Sequence, residues 1–342
     1  MAGVFGWPES VTDPAIRAKK DQPRPTSGRL KLYRVALRIY LQPLFSMAML
    51  LPRLLGWPFK LLCLSLYLAN RKSWAAKATM VKSQDSDPRC YWFHPKDIGP
   101  QDKVVLYFHG GGFTACDVKI YASTMANLAH RAQCSVMFPE YGLSPRFKYP
   151  HALHQFLSAY QGLLEKGHAP QHIVFGGDSA GGNLALATLL TCQERGIPLP
   201  SGVFLESPIT DLTFSGESIR TNWRSDCVLP MTPPFPGLHT WFLGLLYRGK
   251  EPAHSPMVSP LFGKLEGFPP LHLSYSHSEI LRDDSIRLLG KAHQQGVEVT
   301  SLSFPNTPHA NFMFAPTYPE AKEAFDSHVA FVRRCLGFPA SS

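Results

Sequence analysis

The sequence contains no Cys-x-x-Cys pair, and its seven cysteines are scattered. That excludes a zinc ribbon and a redox dithiol, and at 342 residues a disulfide framework is not expected either. No Asn-x-Ser/Thr acceptor occurs, which agrees with a cytosolic domain without excluding a lumenal one. Internal repeats and low-complexity tracts are missing. Acidic residues are scarce at one end: between Pro14 and Ile39 eight lysines and arginines face only Asp21, while the rest of the chain is near balance. The net charge of +9 therefore reflects a basic N-terminal arm, not a broad polyanion-binding face, and no nucleic-acid partner is expected. A long uncharged run is lacking too. In the apolar stretch from Leu30 to Asn70 the longest, Ile39 to Pro52, has 14 residues and contains Pro43. That is short of the roughly 18 needed to span a bilayer.

With 44% hydrophobic residues the chain can bury a sizeable core. Residues 1–28 are polar and rich in proline and charge, and read as a disordered basic arm. Residues 29–84 read as an apolar N-terminal helical segment, interrupted at Pro43, Pro52 and Pro58. Lys31, Arg34 and Arg38 are spaced to share one helix face, with Leu32, Val35, Ile39 and Gln42 turning elsewhere. A basic face beside an apolar one predicts a helix lying on an anionic membrane surface; cap helices packed on the domain are the other outcome.

From Lys103 onward, strands and helices alternate. KVVLYFHG, CSVMFPEY, HIVFGGDS, GVFLESP, LHLSYS and VEVTSLSF read as strands. Helices are expected from Lys119 to Ala132, over 150–167, from Ala180, over 284–295 and over 319–335. This alternation predicts a mostly parallel sheet with helices on both faces. Residues 208–268 break the rhythm and read as an insertion over one end of the sheet.

Two glycine-rich stretches carry chemistry. Ser179 lies in G-D-S-A-G, after a strand and before a helix, where the turn must be sharp enough to expose its hydroxyl. FHGGGF, residues 108–113, follows the first strand of the series. Stabilising an oxyanion takes two or more backbone N–H donors aimed at one point, and glycine lets the backbone approach closely. Gly111, Gly112 and Ala180 are the candidate donors, with His109 and Gly110 supporting the loop. A serine also needs a base. Of 14 histidines, His309 stands in a loop after the last strand, at the sheet edge where catalytic groups gather. An acid must orient it, and YSHSEILRDDS offers Glu279, Asp283 and Asp284.

On these residues the chain resembles the hormone-sensitive-lipase branch of the α/β-hydrolases, which includes arylacetamide deacetylase and many microbial carboxylesterases. HGGG at His109 to Gly112, GDSAGGNLA at Gly177 to Ala185, EYGLSPRFKYP and SPITDL carry the resemblance over about residues 85–336. It implies an α/β-hydrolase fold: a mostly parallel central sheet with helices on both faces and a helical cap over the active site. The family's acid opens the segment D-x-L-R-D-[DE], here E-I-L-R-D-D, so the resemblance places the acid at Glu279, with Asp283 and Asp284 as structural tail. Departures are Gly142 and Arg146 in place of Arg and Glu, Ala310 after the histidine, and Cys116 where the loop often carries glycine.

The resemblance implies a serine esterase with an acyl-enzyme intermediate and no metal or organic cofactor. Its expected partner is a small hydrophobic ester. Acyl transfer, amide deacetylation, or ligand binding without catalysis on the same fold are the alternatives. Phe113, Trp223, Phe235 and Trp241 are candidate pocket residues. Similarity to membrane-bound deacetylases makes attachment to a membrane such as the endoplasmic reticulum, through residues 30–70, the expectation over a soluble cytoplasmic location.

Overall fold

The computed structural model describes residues 26–44, 61, 64–65, 68, 72–83, 88–229 and 244–339. The expected basic arm up to residue 25, most of 45–71, and Phe235 and Trp241 lie outside the described residues. Six strands follow one another in the order expected: β3 (Val104–Phe108), β4 (Ser135–Glu140), β5 (Ile173–Asp178), β6 (Gly202–Glu206), β7 (Leu271–Ser276) and β8 (Val299–Phe304). Every adjacent pair among these six is parallel. Every residue of β3, β5, β6 and β7 is buried, because helices cover both faces.

Two antiparallel strands precede this series, β1 (Ala78–Lys82) and β2 (Arg89–Pro95), giving the order β1-β2-β4-β3-β5-β6-β7-β8. The alternation read from the sequence does not include them. β1 is mostly exposed and β2 mixes buried with open positions, so neither shows the continuous burial of β3, β5, β6 and β7.

Helices α2 (Val118–Ala132) and α6 (Pro319–Cys335) contribute to one core, and α3 (His151–Glu165), α4 (Ala180–Glu194) and α5 (Arg282–Gln294) to the core on the other face. α4 is buried around its circumference from Ala180 to Cys192, which its near-absence of charge permits. β4 and β5 flank β3, so the strand order reverses at β3, and loops leaving β3 and β5 open a crevice there. The register pairs Phe108 with Gly177, which brings the loop at 109–112 beside Ser179.

The first described helix, α1 (Gly28–Ala36), continues through one π-helical turn, Leu37–Leu41. The Ser27 hydroxyl accepts from the Leu30 N–H at 3.3 Å. It also donates to Glu320 Oε2 at 2.8 Å, while the Ser27 N–H donates to Oε1 at 2.7 Å, tying α1 to the start of α6. Arg34 Nη1 donates to the Asn306 carbonyl at 2.5 Å and to Ser278 Oγ at 3.3 Å, and Nη2 to the Ser225 carbonyl at 2.8 Å. Arg38 donates to the carbonyls of Arg224 and Asp226, and Gln42 to that of Leu229.

This corrects the expected orientation. The side chains of Arg34 and Arg38 turn onto the protein's own carbonyls, and Leu32, Val35 and Ile39 face outward at 77%, 58% and 57% exposure. The guanidiniums expected to meet lipid headgroups are thus already engaged. Among the described residues no helix is long and apolar enough to cross a membrane. We expect Arg34→Ala to destabilise the fold by about 1–2 kcal/mol, the scale of lost hydrogen bonds from a charged donor that is partly open to water. Chemical denaturation measures this, and an unchanged midpoint would show that α1 is not fastened through Arg34.

Candidate active site

The turn at Ser179 is held by its neighbours' lack of side chains. Ser179 has φ 52° and ψ −120°, a conformation costly to a residue with a Cβ. A Cβ on Gly181 would sit 1.8 Å from the Phe108 carbonyl oxygen, and one on Gly177 would sit 2.8 Å from that of Gly181. Helix α4 therefore presses against the ends of β3 and β5 only because these positions are glycine. The Ser179 N–H donates to the Glu206 carbonyl at 3.0 Å, and its own carbonyl accepts from Ile209 at 3.0 Å. These bonds fix the strained residue from both sides.

The glycine loop is fastened to the same turn. Asp178 Oδ1 accepts from the Tyr107 hydroxyl at 2.8 Å and the Gly110 N–H at 3.1 Å, and Oδ2 accepts from the Tyr121 hydroxyl at 2.8 Å. A Cβ on Gly110 would lie 2.3 Å from Oδ2, so glycine alone allows this approach. Burial pushes the Asp178 carboxyl up to about 6, against the pull of the two phenols. Gly111 and Gly112 have φ of +104° and +60°. Among the described residues no acceptor takes the N–H of Gly111, Gly112 or Ala180. His109 stacks on Tyr141, with centroids 4.3 Å apart, and its Nδ1 lies 2.9 Å from the Gly110 carbonyl oxygen. Burial pushes its imidazole down to about 4, so it stays neutral at physiological pH.

His309 Nδ1 lies 2.7 Å from Glu279 Oε2, both groups being buried. Glu279 Oε1 accepts from the Ser207 hydroxyl and the Ser276 N–H, each at 2.9 Å. An ionised carboxylate only accepts, so Nδ1 carries the proton and neutral His309 presents Nε2 as a lone pair. That Nε2 is buried without a hydrogen-bond partner. Burial disfavours the imidazolium, but the bond and charge of Glu279, with the charges of Asp226 and Asp178, prevail and raise the His309 pKa. Burial raises the Glu279 carboxyl, opposed by His309 and the Ser276 N–H.

Of the three carboxylates the sequence leaves open, Glu279 is the one the fold brings to the imidazole. Asp283 accepts from the Ser218 N–H at 2.9 Å and pairs with Arg282. Asp284 accepts from the N–H groups of Thr210 and Asp211 at 2.6 and 3.0 Å, and burial pushes it up to about 7. Asp284 thus ties this loop to the SPITDL segment, and Asp283 ties it to Ser218. Asp226, which sequence reasoning did not single out, accepts from the Val228, Leu229 and Ile280 N–H groups. It thereby clips the insertion to the residue after Glu279.

Ser179, His309 and Gly111 border one cavity of about 380 Å³. No hydrogen bond joins Ser179 to Nε2 in this arrangement; such bonds commonly tighten only around the reacting substrate. Tyr33 and Leu41 from the N-terminal helix, Val228 from the insertion, and Ile120, Met313 and Phe314 supply apolar wall. Two expected pocket residues lie elsewhere. The Phe113 ring is buried against Tyr247, centroids 3.8 Å apart. Trp223 packs on the core with Arg224 over its ring. Each is held by an aromatic or cationic neighbour away from the cavity. Among the described residues no cluster of three or more His, Cys, Asp or Glu side chains forms a metal site.

Residues 105–313 match the alpha/beta hydrolase fold family. An esterase of Acinetobacter venetianus is 36% identical over 222 residues, 65% of this chain and 72% of that protein. An acetyl-hydrolase of Streptomyces hygroscopicus is 31% identical over 69% of this chain and 77% of its own. Among solved structures, an esterase from the bacterial hormone-sensitive lipase family superposes with a TM-score of 0.72 at 26% identity, over 97% of this chain and 100% of that one. With HGGG and GDSAG joined at the crevice between β3 and β5, this chain belongs to the α/β-hydrolase family, in its hormone-sensitive-lipase-like branch of ester hydrolases.

Proposed function

We propose that the protein hydrolyses small carboxylic esters with hydrophobic or acetyl groups, through Ser179, His309 and Glu279 and an acyl-enzyme intermediate. One observation carries this reading: His309 is bonded through Nδ1 to a buried carboxylate and borders the Ser179 cavity with Nε2 unpartnered. Relatives named esterase and acetyl-hydrolase support the substrate class.

Ser179 Oγ attacks the ester carbonyl carbon while His309 Nε2 takes its proton. The carbonyl oxygen becomes an oxyanion, and the N–H groups of Gly111, Gly112 and Ala180 are available to receive it. Donors of this kind contribute about 10²–10³ in rate each where measured in a serine protease. Collapse breaks the bond to the alkoxy group, to which His309 returns the proton. Water, deprotonated by His309, then attacks the acyl carbon and releases the acid and Ser179. Glu279 steadies the imidazolium in both half-reactions.

Ser179→Ala is expected to lower kcat by several orders of magnitude without lowering the denaturation midpoint, since the three groups act as a unit. Turnover above about a tenth of wild type would remove Ser179 from the nucleophile's role. Glu279→Gln should damage turnover far more than Asp284→Asn in folded protein, by roughly 10⁴ if the precedent of the serine-protease acid holds. The reverse order would assign the orienting role to the wrong carboxylate.

The acid limb of kcat/KM reports the free enzyme's base. Because Glu279 raises the His309 pKa, activity should rise with pH through a value above that of an ordinary histidine. In residual Glu279→Gln activity that limb should move to lower pH. A pH–rate profile checks the sign, and a limb unmoved by the substitution contradicts it.

A further inference from the structure

The cavity at Ser179 has a second end. Ile120, Ser123 and Asn127 also border it, spaced three and four residues apart on α2, so one face of that helix makes a wall leading away from the nucleophile. At its near end Tyr121 bonds Asp178 through its hydroxyl. Asn127 stands six residues further along, about 9 Å at the α-helical rise of 1.5 Å per residue.

There Lys77 Nζ donates to Asn127 Oδ1 at 2.5 Å. Asn127 is itself held, its Nδ2 donating to the Ser123 carbonyl at 2.8 Å. Lys77 is half-buried, and among the described residues no carboxylate pairs with it. The neighbouring Lys119, by contrast, has Asp117 at 3.7 Å. An ammonium carries three donors, and a neutral amide occupies only one of those on Lys77. The same cavity wall includes Ile120 and the buried Trp74.

We propose that Lys77 and Asn127 form a subsite for a carboxylate on the substrate, so that the preferred ester carries an apolar chain ending in an anionic group. One unpaired ammonium matches a monoanion better than a doubly charged phosphate. The inference rests on the hydrolase reading above and adds to it the class of ester. The carboxylate takes the open donors of Lys77, and the chain packs along Ile120 and Trp74.

The test compares kcat/KM for mono-p-nitrophenyl suberate and p-nitrophenyl octanoate, which have equal carbon chains and differ in the terminal carboxylate. Lys77→Met should lower the suberate-to-octanoate ratio about tenfold, the worth of one hydrogen bond between charged groups. Lys77→Arg should restore most of it, and in wild type the ratio should fall as salt rises. Should Lys77→Met fail to fold, the salt series on wild type decides alone. A ratio unchanged by Lys77→Met, or independent of salt, overturns the subsite while octanoate turnover leaves the hydrolase reading standing. If wild type cleaves neither ester above the Ser179→Ala background, both readings fall.

Discussion

The site depends on one buried carboxylate. Asp178 ends β5, immediately before Ser179, and gathers the hydroxyls of Tyr107 on β3 and Tyr121 on α2 together with the Gly110 N–H. Three elements thus converge on the residue beside Ser179. Removing a charge from water is costly, and this one is met by three donors from groups that must be fixed for other reasons. Burial still pushes its carboxyl up to about 6, with the Tyr107 and Tyr121 hydroxyls and the Gly110 N–H pulling the other way. The same contacts hold the glycine loop that carries Gly111 and Gly112 against the serine turn.

The opposite wall is built from loops rather than strands. Glu279 and His309 follow β7 and β8, and each loop is fixed by backbone carbonyls and N–H groups. Asp226 holds the Ile280 N–H, Ser276 Oγ donates to the Thr307 carbonyl, and Arg34 spans both loops through Ser278 and Asn306. Helix α1 therefore does two things. It lines the cavity through Tyr33 and Leu41, and it braces the segments that carry Glu279 and His309. With Leu30, Leu37, Arg34 and Arg38 turned onto the protein, Leu32, Val35 and Ile39 take the outward positions.

Much of this was legible in the sequence. β3 is a continuous apolar run, VVLYF, and LHLSYS coincides with β7 as PEAKEAFDSHVAFVRRC does with α6. Ser179 stood out because GDSAG and HGGG concentrate glycine where backbones must nearly touch, and Gly181 against Phe108 is that contact. His309 followed from its place after the last strand. Glu279 was separable from Asp283 and Asp284 by the order of a family segment, not by residue type. What stayed hidden is non-local. Nothing near Asp178 announces that Tyr107 and Tyr121 will reach it. Helical spacing grouped Lys31, Arg34 and Arg38 but could not say which face meets the protein. Phe113 adjoins the glycine loop in sequence, yet its backbone, at φ 62°, accompanies a ring stacked on Tyr247.

In the proposed reaction Ser179, activated by His309, bonds covalently to the substrate's acyl carbon. Peptide mapping by mass spectrometry after reaction with a fluorophosphonate tests it most directly, since the reagent captures the activated serine. A single adduct is expected, on the peptide carrying Ser179, formed far more slowly in His309→Ala. An adduct on a different serine, or equal labelling of Ser179 with and without His309, would contradict it.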